Sequence, residues 1–370
     1  MPAWPWRSSG ASANGLCRSN IPSPCTHCAF MSPLSTIPIP KMDTKYFLTI
    51  GSLTSDLYLK PARQKLFHEP EGEFIGFCLG DKVRIKERHE RFGGGGANVA
   101  VGLSRFGINA SVLGVIGDDF VAERILKNLK DEGVDTTYVQ VYEGEKSGFS
   151  VVLSAESGER TVLFTPGAND CFEDFDETIL DRFNGVCLQH LSGCSEHIFN
   201  KIAAYFIENP DKFLSWNPGR ESLVQGVGAY QNLLPTVDIL LVNLEEARLF
   251  TKATELDDIF KAFYRAGAQG RIIVSDGRNG SVGCDGENLY FCEVCPDSHR
   301  VDTLGAGDSF MSGVVGATLY EKDLPEAMKI ATMNAAAVVS YYGAQTGLQP
   351  RAALEEVADK IRIETRPFSF

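Results

Sequence analysis

The chain has 370 residues, of which 44% are hydrophobic and 22% charged, the composition of an ordinary folded protein with one large or two modest domains. Its net charge of −13 argues against general nucleic-acid binding, which requires a basic surface. No apolar run approaches the roughly 18 residues of a membrane span, so the sequence predicts no membrane partner.

Residues 1–42 differ in composition from the rest of the chain. They contain seven Pro and seven Ser but neither Asp nor Glu. This composition predicts a disordered extension, because it cannot bury enough apolar surface to pack. Two interpretations stay open: an organellar targeting segment, and an upstream translation extension with Met42 as the natural start. We therefore expect a cytoplasmic protein, or an organellar one if the segment is a targeting signal, with its folded domain over 43–370.

Strands and helices are predicted to alternate along residues 43–370. A short apolar run that ends at Gly51 predicts a buried strand, and alternating apolar and charged residues over 73–92 predict an exposed strand pair. A glycine-rich turn then precedes a helix that Gly107 ends. The predicted elements after the strand pair are a helix over 98–106, a strand over 110–116, a helix over 120–132, strands over 239–242 and 272–275, and a helix over 308–320.

This alternation predicts an α/β fold in which helices cover both faces of a mostly parallel sheet. Residues 147–165 interrupt it, because they are typical of a hairpin that turns at 156–159. Together with 73–92 they predict a small β-sheet that serves as a lid over a pocket.

The segment Asp302-Thr-Leu-Gly-Ala-Gly-Asp308 is the main candidate for chemistry. Its glycines allow the backbone to approach a ligand closely, and the N-terminus of the following helix suits a phosphate. Asp308 either caps this helix or accepts a proton from a hydroxyl nucleophile, and spacing alone leaves both interpretations open. Two other nucleotide-binding patterns are absent from the sequence: a P-loop, and the third glycine of a dinucleotide-binding turn after 93–96.

Four segments together resemble the ribokinase (PfkB) family of carbohydrate kinases. The segment 302–308 resembles the family's C-terminal signature, and Gly93-Gly-Gly-Gly-Ala-Asn98 resembles its N-terminal one. Asn243-Leu-Glu-Glu246 matches an Asn-x-x-Glu motif, and Gly51-Ser-Leu-Thr-Ser-Asp56 matches the end of the opening strand. The four occur in family order over roughly residues 45–365. The resemblance implies a ribokinase-like three-layer sandwich with a β-sheet lid.

The resemblance also implies a role for each matching residue in an ATP-dependent phosphoryl transfer to a hydroxyl. Asp308 would be the general base, and the backbone of Gly305, Ala306 and Gly307 would form the anion hole. The substrate would contact Asp56, Gly94, Gly95 and Asn98. The nucleotide would contact Asn243, Ser275, Gly277, Thr303 and Asn334. Glu246 would hold Mg²⁺ through water, and Asp302 with the turn at 343–346 would hold a monovalent cation, typically K⁺.

Three functions remain open at this stage. The leading one is a sugar kinase, the second is an adenosine- or cytidine-type nucleoside kinase, and the third is a non-catalytic regulatory member of the family. The lid could also form a homodimer interface. For Arg160, we favour a solvated residue of the hairpin over a contact with an anionic substrate.

Overall fold

Short runs of Val, Ile and Leu form the central strands of the protein, because both faces of these strands are covered. The computed structural model describes residues 45–69, 72–155, 160–193, 196–296 and 298–369. The predicted extension over 1–42 and the predicted hairpin turn at 156–159 lie outside these residues. The described residues all belong to one compact unit.

The strands are, in chain order, β1 Tyr46–Ile50, β2 Thr54–Pro61, β3 Lys65–Glu69, β4 Gly72–Gly76, β5 Ile85–Gly93, β6 Asn109–Leu113, β7 Val115–Gly117, β8 Gln140–Tyr142, β9 Gly148–Ser154, β10 Arg160–Thr165, β11 Gly185–Leu188, β12 Phe213–Trp216, β13 Ile239–Asn243, β14 Arg271–Ser275, β15 Ser281–Cys284, β16 Asn288–Cys292 and β17 Ile363–Pro367. The helices are α1 Gly95–Phe106, α2 Phe120–Asp131, α3 Glu196–Glu208, α4 Arg220–Gln225, α5 Leu244–Thr251, α6 Leu256–Arg265, α7 Ala306–Leu319, α8 Leu324–Val338 and α9 Arg351–Val357.

Within the described residues, the large sheet has the strand order β17-β16-β15-β14-β13-β12-β11-β1-β6. The pairs from β6 to β14 are parallel, and the edge from β14 to β17 is antiparallel. Helices α1, α7 and α8 pack against one another and against this sheet, and α4, α5 and α6 form a second group. The predicted three-layer α/β fold is therefore confirmed. Among the residues that the structure describes, no helix is both long and apolar enough to cross a membrane.

A separate sheet with the order β10-β9-β2-β5 forms the lid. It contains the two halves of the predicted hairpin, and β9 and β10 pair antiparallel as expected. The predicted strand pair in 73–92 is wrong, because β4 pairs with β3 and β5 pairs with β2. The sequence analysis did not predict strand β2, which runs parallel to β9 and places Asp56 in the lid sheet.

At the end of β1, three backbone segments are in direct contact, with no side chain between them. A Cβ on Gly96 would lie 2.7 Å from the Gly51 carbonyl carbon, and one on Gly114 would lie 2.4 Å from the Gly51 oxygen. Gly114 also separates β6 from β7, so the strand predicted over 110–116 is two short strands. This close packing holds the start of α1 directly above the end of β1.

Candidate active site

The candidate site lies at the carboxyl edge of the parallel strands. In open α/β sheets this edge is where ligands bind, because loops and helix N-termini converge there. Loops and residues from successive strands lie along it: Ser52 after β1, Gln189 after β11, Asn217 after β12, Asn243 at the end of β13 and Ser275 at the end of β14.

The glycine-rich loop 302–308 leads into α7 at this edge. Gly305 adopts the left-handed conformation with φ 77°, and a Cβ there would lie 2.2 Å from the Cβ of Ala344. Gly307 faces open space, since a Cβ there would have no atom within 4 Å. The N–H groups of a first helical turn have no partner within the helix and attract anions. The loop is thus shaped to bring backbone donors close to a ligand.

Asp308 lies in the first turn of α7 and faces the start of α1. Its Oδ2 accepts a hydrogen bond of 2.8 Å from Nδ2 of Asn98. Two further amides continue this chain, because Gln345 donates to Asn98 at 3.1 Å and Asn128 donates to Gln345 at 2.9 Å. The chain of amides fixes which end of the Asn98 side chain points at the carboxylate.

The second oxygen of Asp308 faces the space above Gly95. A Cβ on Gly95 would lie 3.6 Å from Oδ1 of Asp308. Burial raises the pKa of the Asp308 carboxyl above its ordinary value, while the hydrogen bond from Asn98 and the nearby His190 act in the opposite direction. This arrangement favours a proton acceptor over a helix cap, and the N-cap position of α7 is in fact Gly305.

The predicted substrate residues lie beside this carboxylate. Gly94 has φ 91°, and Gly95 donates its backbone N–H to Oγ of Ser52 at 3.1 Å. Asp56 is buried in β2, where its Oδ1 accepts a hydrogen bond of 2.6 Å from Ser150. A Cβ on Gly93 would lie 2.1 Å from Oδ2 of Asp56, so the carboxylate packs directly against the glycine-rich turn. Burial also raises the pKa of Asp56.

Sequence reasoning missed Gln189 and His190, which follow β11. Gln189 is 1% exposed, and neither its Oε1 nor its Nε2 has a hydrogen-bond partner among the described residues. A Cβ on Gly95 would lie 3.2 Å from the Cβ of Gln189, which places this amide beside the space that Asp308 faces. No motif marks these two residues. Their position at the carboxyl end of a parallel strand was the available signal, because such positions line ligand sites.

A cavity of about 160 Å³ lies on the other side of the α7 N-terminus. Five residues predicted to bind the nucleotide or the migrating phosphoryl group line it: Ser275, Gly277, Thr303, Ala306 and Gly307. Further lining comes from Cys295, Ser298 and Arg300, which the sequence analysis did not select. The cavity and Asp308 therefore lie on either side of one helix start.

Asn334 does not line this cavity. Its Nδ2 donates to the Ser309 carbonyl at 2.8 Å, and its Oδ1 accepts the Gln349 N–H at 3.2 Å. These bonds join α8 to α7 and to the segment after the turn at 343–346. Asn334 was predicted to contact the nucleotide. In the structure its side chain is buried, and both of its polar atoms are already hydrogen-bonded within the protein.

Asn243 and Glu246 form a capping box at the start of α5. Asn243 Oδ1 accepts the Glu246 N–H at 2.9 Å, and Glu246 Oε2 accepts the Asn243 N–H at 2.9 Å. Burial raises the pKa of the Glu246 carboxyl; the hydrogen bonds with Asn243 oppose this shift, and nearby Asp308 and Glu245 add to it. Glu246 thus shares the site with Asp308 while one of its oxygens caps a helix.

The interpretation of Arg160 as a solvated residue is wrong. Its Nη1 lies 2.8 Å from Oδ1 of Asp302, and its Nη2 donates to Oγ1 of Thr303 at 2.8 Å. The Asp302 side chain is 2% exposed and that of Arg160 24%. Strand β10 therefore places the Arg160 guanidinium against the loop 302–308. There it compensates the charge of the buried Asp302 carboxylate.

Comparisons with known proteins agree with this geometry. The pfkB family of carbohydrate kinases matches the chain over residues 68–351. The chain belongs to this family. An uncharacterised sugar kinase of Archaeoglobus fulgidus is 31% identical over 263 residues, which cover 68% of this chain and 99% of the relative.

Solved structures of pfkB-family kinases share the fold. Arabidopsis thaliana ribokinase complexed with ribose and ATP has a TM-score of 0.68 at 22% identity, covering 85% of this chain and 98% of that chain. Methanocaldococcus jannaschii nucleoside kinase has a TM-score of 0.69 at 20% identity, covering 86% of this chain and 99% of that chain. The family match makes the protein a kinase of the pfkB carbohydrate kinase family, and these solved structures share its fold.

Proposed function

We propose that the protein transfers the γ-phosphate of ATP to a hydroxyl group of a sugar, with Asp308 as the general base. The observation that carries this proposal is the orientation of the Asp308 carboxylate. Asn98 holds Oδ2 at 2.8 Å, while Oδ1 faces the space above Gly95, at the start of α7. A hydroxyl in that space would lie between the carboxylate and a phosphate at the helix N-terminus.

The reaction at this site is an in-line phosphoryl transfer. The substrate hydroxyl oxygen forms a bond to the γ-phosphorus, and the bond from that phosphorus to the β–γ bridging oxygen breaks, which releases ADP. The proton of the hydroxyl moves to Oδ1 of Asp308. The raised pKa of Asp308 favours this step, because a stronger base accepts the proton more readily.

Backbone donors would stabilise the charge on the migrating group. Gly305, Ala306 and Gly307 stand at the start of α7, where N–H groups and the helix dipole attract an anion. Gly307 faces open space beside the cavity, so a phosphoryl group can approach its backbone. This anion hole acts in the transition state, when the three equatorial oxygens carry most of the charge.

The cavity beside α7 fits the adenosine part of ATP. Ser275 and Gly277 stand at its β14 side, and Thr303 at its loop side. The wall from Phe310, Val339 and the alanines of α8 is apolar, as a stacked base requires. Arg300, also in the lining, supplies positive charge for the phosphates.

The residues Asn243 and Glu246 fit Mg²⁺ bound through water. Burial raises the pKa of Glu246, and repulsion by nearby Asp308 and Glu245 adds to this shift, so a cation in this space would stabilise the ionised carboxylate. Mg²⁺ keeps several waters and uses few carboxylates, which suits a Glu246 that keeps Oε2 on its helix. Bound there, the ion would neutralise charge on the triphosphate.

We favour a sugar over a nucleoside because the floor of the substrate space is polar. Asp56, Asn98, Gln189 and Asp308 approach it with carboxylates and amides, and Gly94 and Gly95 leave it free of bulky side chains. The unpartnered amide of Gln189 gains most from a ligand with several hydroxyls, since a buried polar group without a partner is costly.

A second copy of the chain is the proposed partner of the lid. Strand β10 is an edge of the lid sheet, and it exposes Leu163 (56%) and Phe164 (75%). Exposed apolar side chains on an edge strand favour association. A homodimer would cover them, and the sedimentation velocity of the full chain tests this directly.

A substrate panel tests the reaction. ADP formation is measured with ribose, fructose, 2-keto-3-deoxygluconate, sugar phosphates, adenosine and cytidine. We expect turnover with one or more of the sugars. Turnover confined to adenosine or cytidine would replace the sugar by a nucleoside, and no turnover with any compound would favour a regulatory family member.

A further inference from the structure

Asp302 is a buried anion that joins three parts of the protein. Its Oδ1 accepts the Leu304 N–H at 3.0 Å inside the catalytic loop, and its Oδ2 accepts the Gly343 N–H at 3.3 Å from the turn after α8. Its own N–H donates to the Val339 carbonyl at 3.1 Å. Its side chain is 2% exposed, and burial of a charge is costly unless an opposite charge is paired with it.

The charge comes from the lid. Arg160, the first residue of β10, lies 2.8 Å from Oδ1 of Asp302 and spans to Thr303, the next residue of the loop. A guanidinium is always charged and donates in a fixed fork, so it can hold a carboxylate and a hydroxyl together. The two contacts place a permanent cation on the catalytic loop, six residues before Asp308 in the sequence.

This arrangement does not fit a monovalent metal ion at Asp302. K⁺ binds where several oxygens replace its hydration shell. Here Oδ1 already receives two donors, from Arg160 and Leu304. A guanidinium and a K⁺ in contact with the same oxygen would repel each other strongly at such a distance.

The neighbouring cavity of about 90 Å³ points to the same conclusion. Arg160 and Asp302 line it together with Tyr58, Lys60 and Tyr342. Lys60 is paired with Glu87 at 3.0 Å, so the arginine is the cation in contact with Asp302. Loss of Arg160 would leave a buried carboxylate beside a small space that water or an ion could enter.

We propose that Arg160 takes the place of a monovalent cation in this kinase. It acts as a positioning residue, because it holds the loop 302–308, and through it Asp308, without contacting the reacting atoms. The kinase therefore needs no K⁺, and its catalytic loop is charge-compensated when the lid strand is in place. This inference rests on the ATP-dependent reaction proposed above.

The test compares the full-length wild type with Arg160→Met and with the matched control Arg63→Met, which removes an exposed arginine between β2 and β3 that is paired with Asp81. Turnover is measured at constant ionic strength in KCl, NaCl and tetramethylammonium chloride. We expect wild type and Arg63→Met to vary by less than about twofold between salts, and Arg160→Met to lose roughly tenfold or more in tetramethylammonium and to recover partly in KCl. Clear activation of the wild type by KCl would overturn the proposal, as would an Arg160→Met enzyme as active in tetramethylammonium as the control.

A second readout does not depend on catalysis. Thermal unfolding of Arg160→Met should shift upward in KCl relative to tetramethylammonium, while wild type should not respond. If no substrate supports turnover, the proposed function fails, but this shift still decides the role of Arg160. If Arg160→Met does not fold, the double variant with Asp302→Asn should fold again, because it removes the uncompensated charge; failure of the double variant to fold would contradict the pairing.

Discussion

The two ends of the loop 302–308 carry one aspartate each, in opposite surroundings. Asp302 is paired with a guanidinium and with two backbone N–H groups. Asp308 receives a hydrogen bond from the neutral amide of Asn98, and burial raises its pKa. At the other end of the loop, Arg160 supplies the compensating charge for Asp302.

The comparison teaches how one short loop can contain an anchor and the proposed base. A carboxylate with its own cation is stable as an anion, and so it fixes the backbone. A carboxylate without one is a stronger base, because protonation relieves the cost of its burial. The five residues between them, which include both glycines, turn the chain from one environment to the other.

The largest expected effect is at Asp308, the proposed base. Asp308→Asn should lower kcat by a factor on the order of 10² or more, because the proton acceptor is lost while shape and hydrogen bonding are kept. Since burial raises the pKa of Asp308, its ionised form destabilises the fold above that pKa, and the variant should unfold at an equal or higher temperature. Steady-state kinetics measures the change in kcat, and thermal unfolding measures the change in unfolding temperature. Near-normal turnover would refute the role of Asp308.

Gly305 and Gly307, which lie between the two aspartates, should differ in how well they tolerate substitution by alanine. Gly305→Ala should lower the free energy of unfolding by about 1–2 kcal/mol, because alanine is strained in the left-handed conformation. The overlap with Ala344 should add to this loss. Gly307→Ala should be close to neutral for stability, because its Cβ would meet no atom within 4 Å. Denaturant unfolding of both variants measures the difference, and equal stability of the two would contradict the account of the loop.

Asn334 supports the Asp308 end by bonding to the Ser309 carbonyl. Asn334→Ala should cost about 1–3 kcal/mol of stability, because it leaves buried groups unpaired, with little change in the KM for ATP. Thr332→Val is the comparison variant on the same helix, since Thr332 lines the cavity proposed for the nucleotide. Its hydroxyl donates to the Met328 carbonyl of its own helix and contacts Cys292, so the variant should change KM more, and stability less, than Asn334→Ala. The reverse pattern would restore Asn334 as a nucleotide contact.

The smallest expected effect is a change in pH dependence. The hydrogen bond from Asn98 lowers the pKa of Asp308, so Asn98→Ala should raise this pKa and move the acid limb of kcat/KM to higher pH. Asn128→Ala, two amides away in the same chain, should leave the limb in place. A limb that moves equally in both variants, or to lower pH in Asn98→Ala, would contradict this.

The local parts of the site could be predicted from sequence because they are contiguous. The segment 302–308, the glycines before α1 and the Asn243–Glu246 pair each lie within one turn or helix start, where residue types and spacing define the geometry. The helix predicted from 98 begins at Gly95, a difference of three residues at a glycine-rich start.

Contacts between distant segments could not be predicted in this way. Arg160 and Asp302 are brought together by the pairing of β10 with β9 and of β9 with β2, and none of these pairings leaves a local pattern. Strand β2 was not recognised as part of the lid for the same reason. Gln189 and Asn334 have no distinctive neighbours in sequence, so their burial and partners appear only once the sheet and helices are assembled.

The convergence of Gly51, Gly96 and Gly114 limits how this enzyme can diverge. Each position is in backbone contact with a neighbouring segment, so every other amino acid would separate chains that must touch. A library that randomises all three should return glycine alone, whereas Gly228, which has no positive φ and open space around a Cβ, should accept other residues. Changes in substrate preference must therefore arise at residues that line the site above these three glycines. Gln189 and His190 are the natural positions to vary.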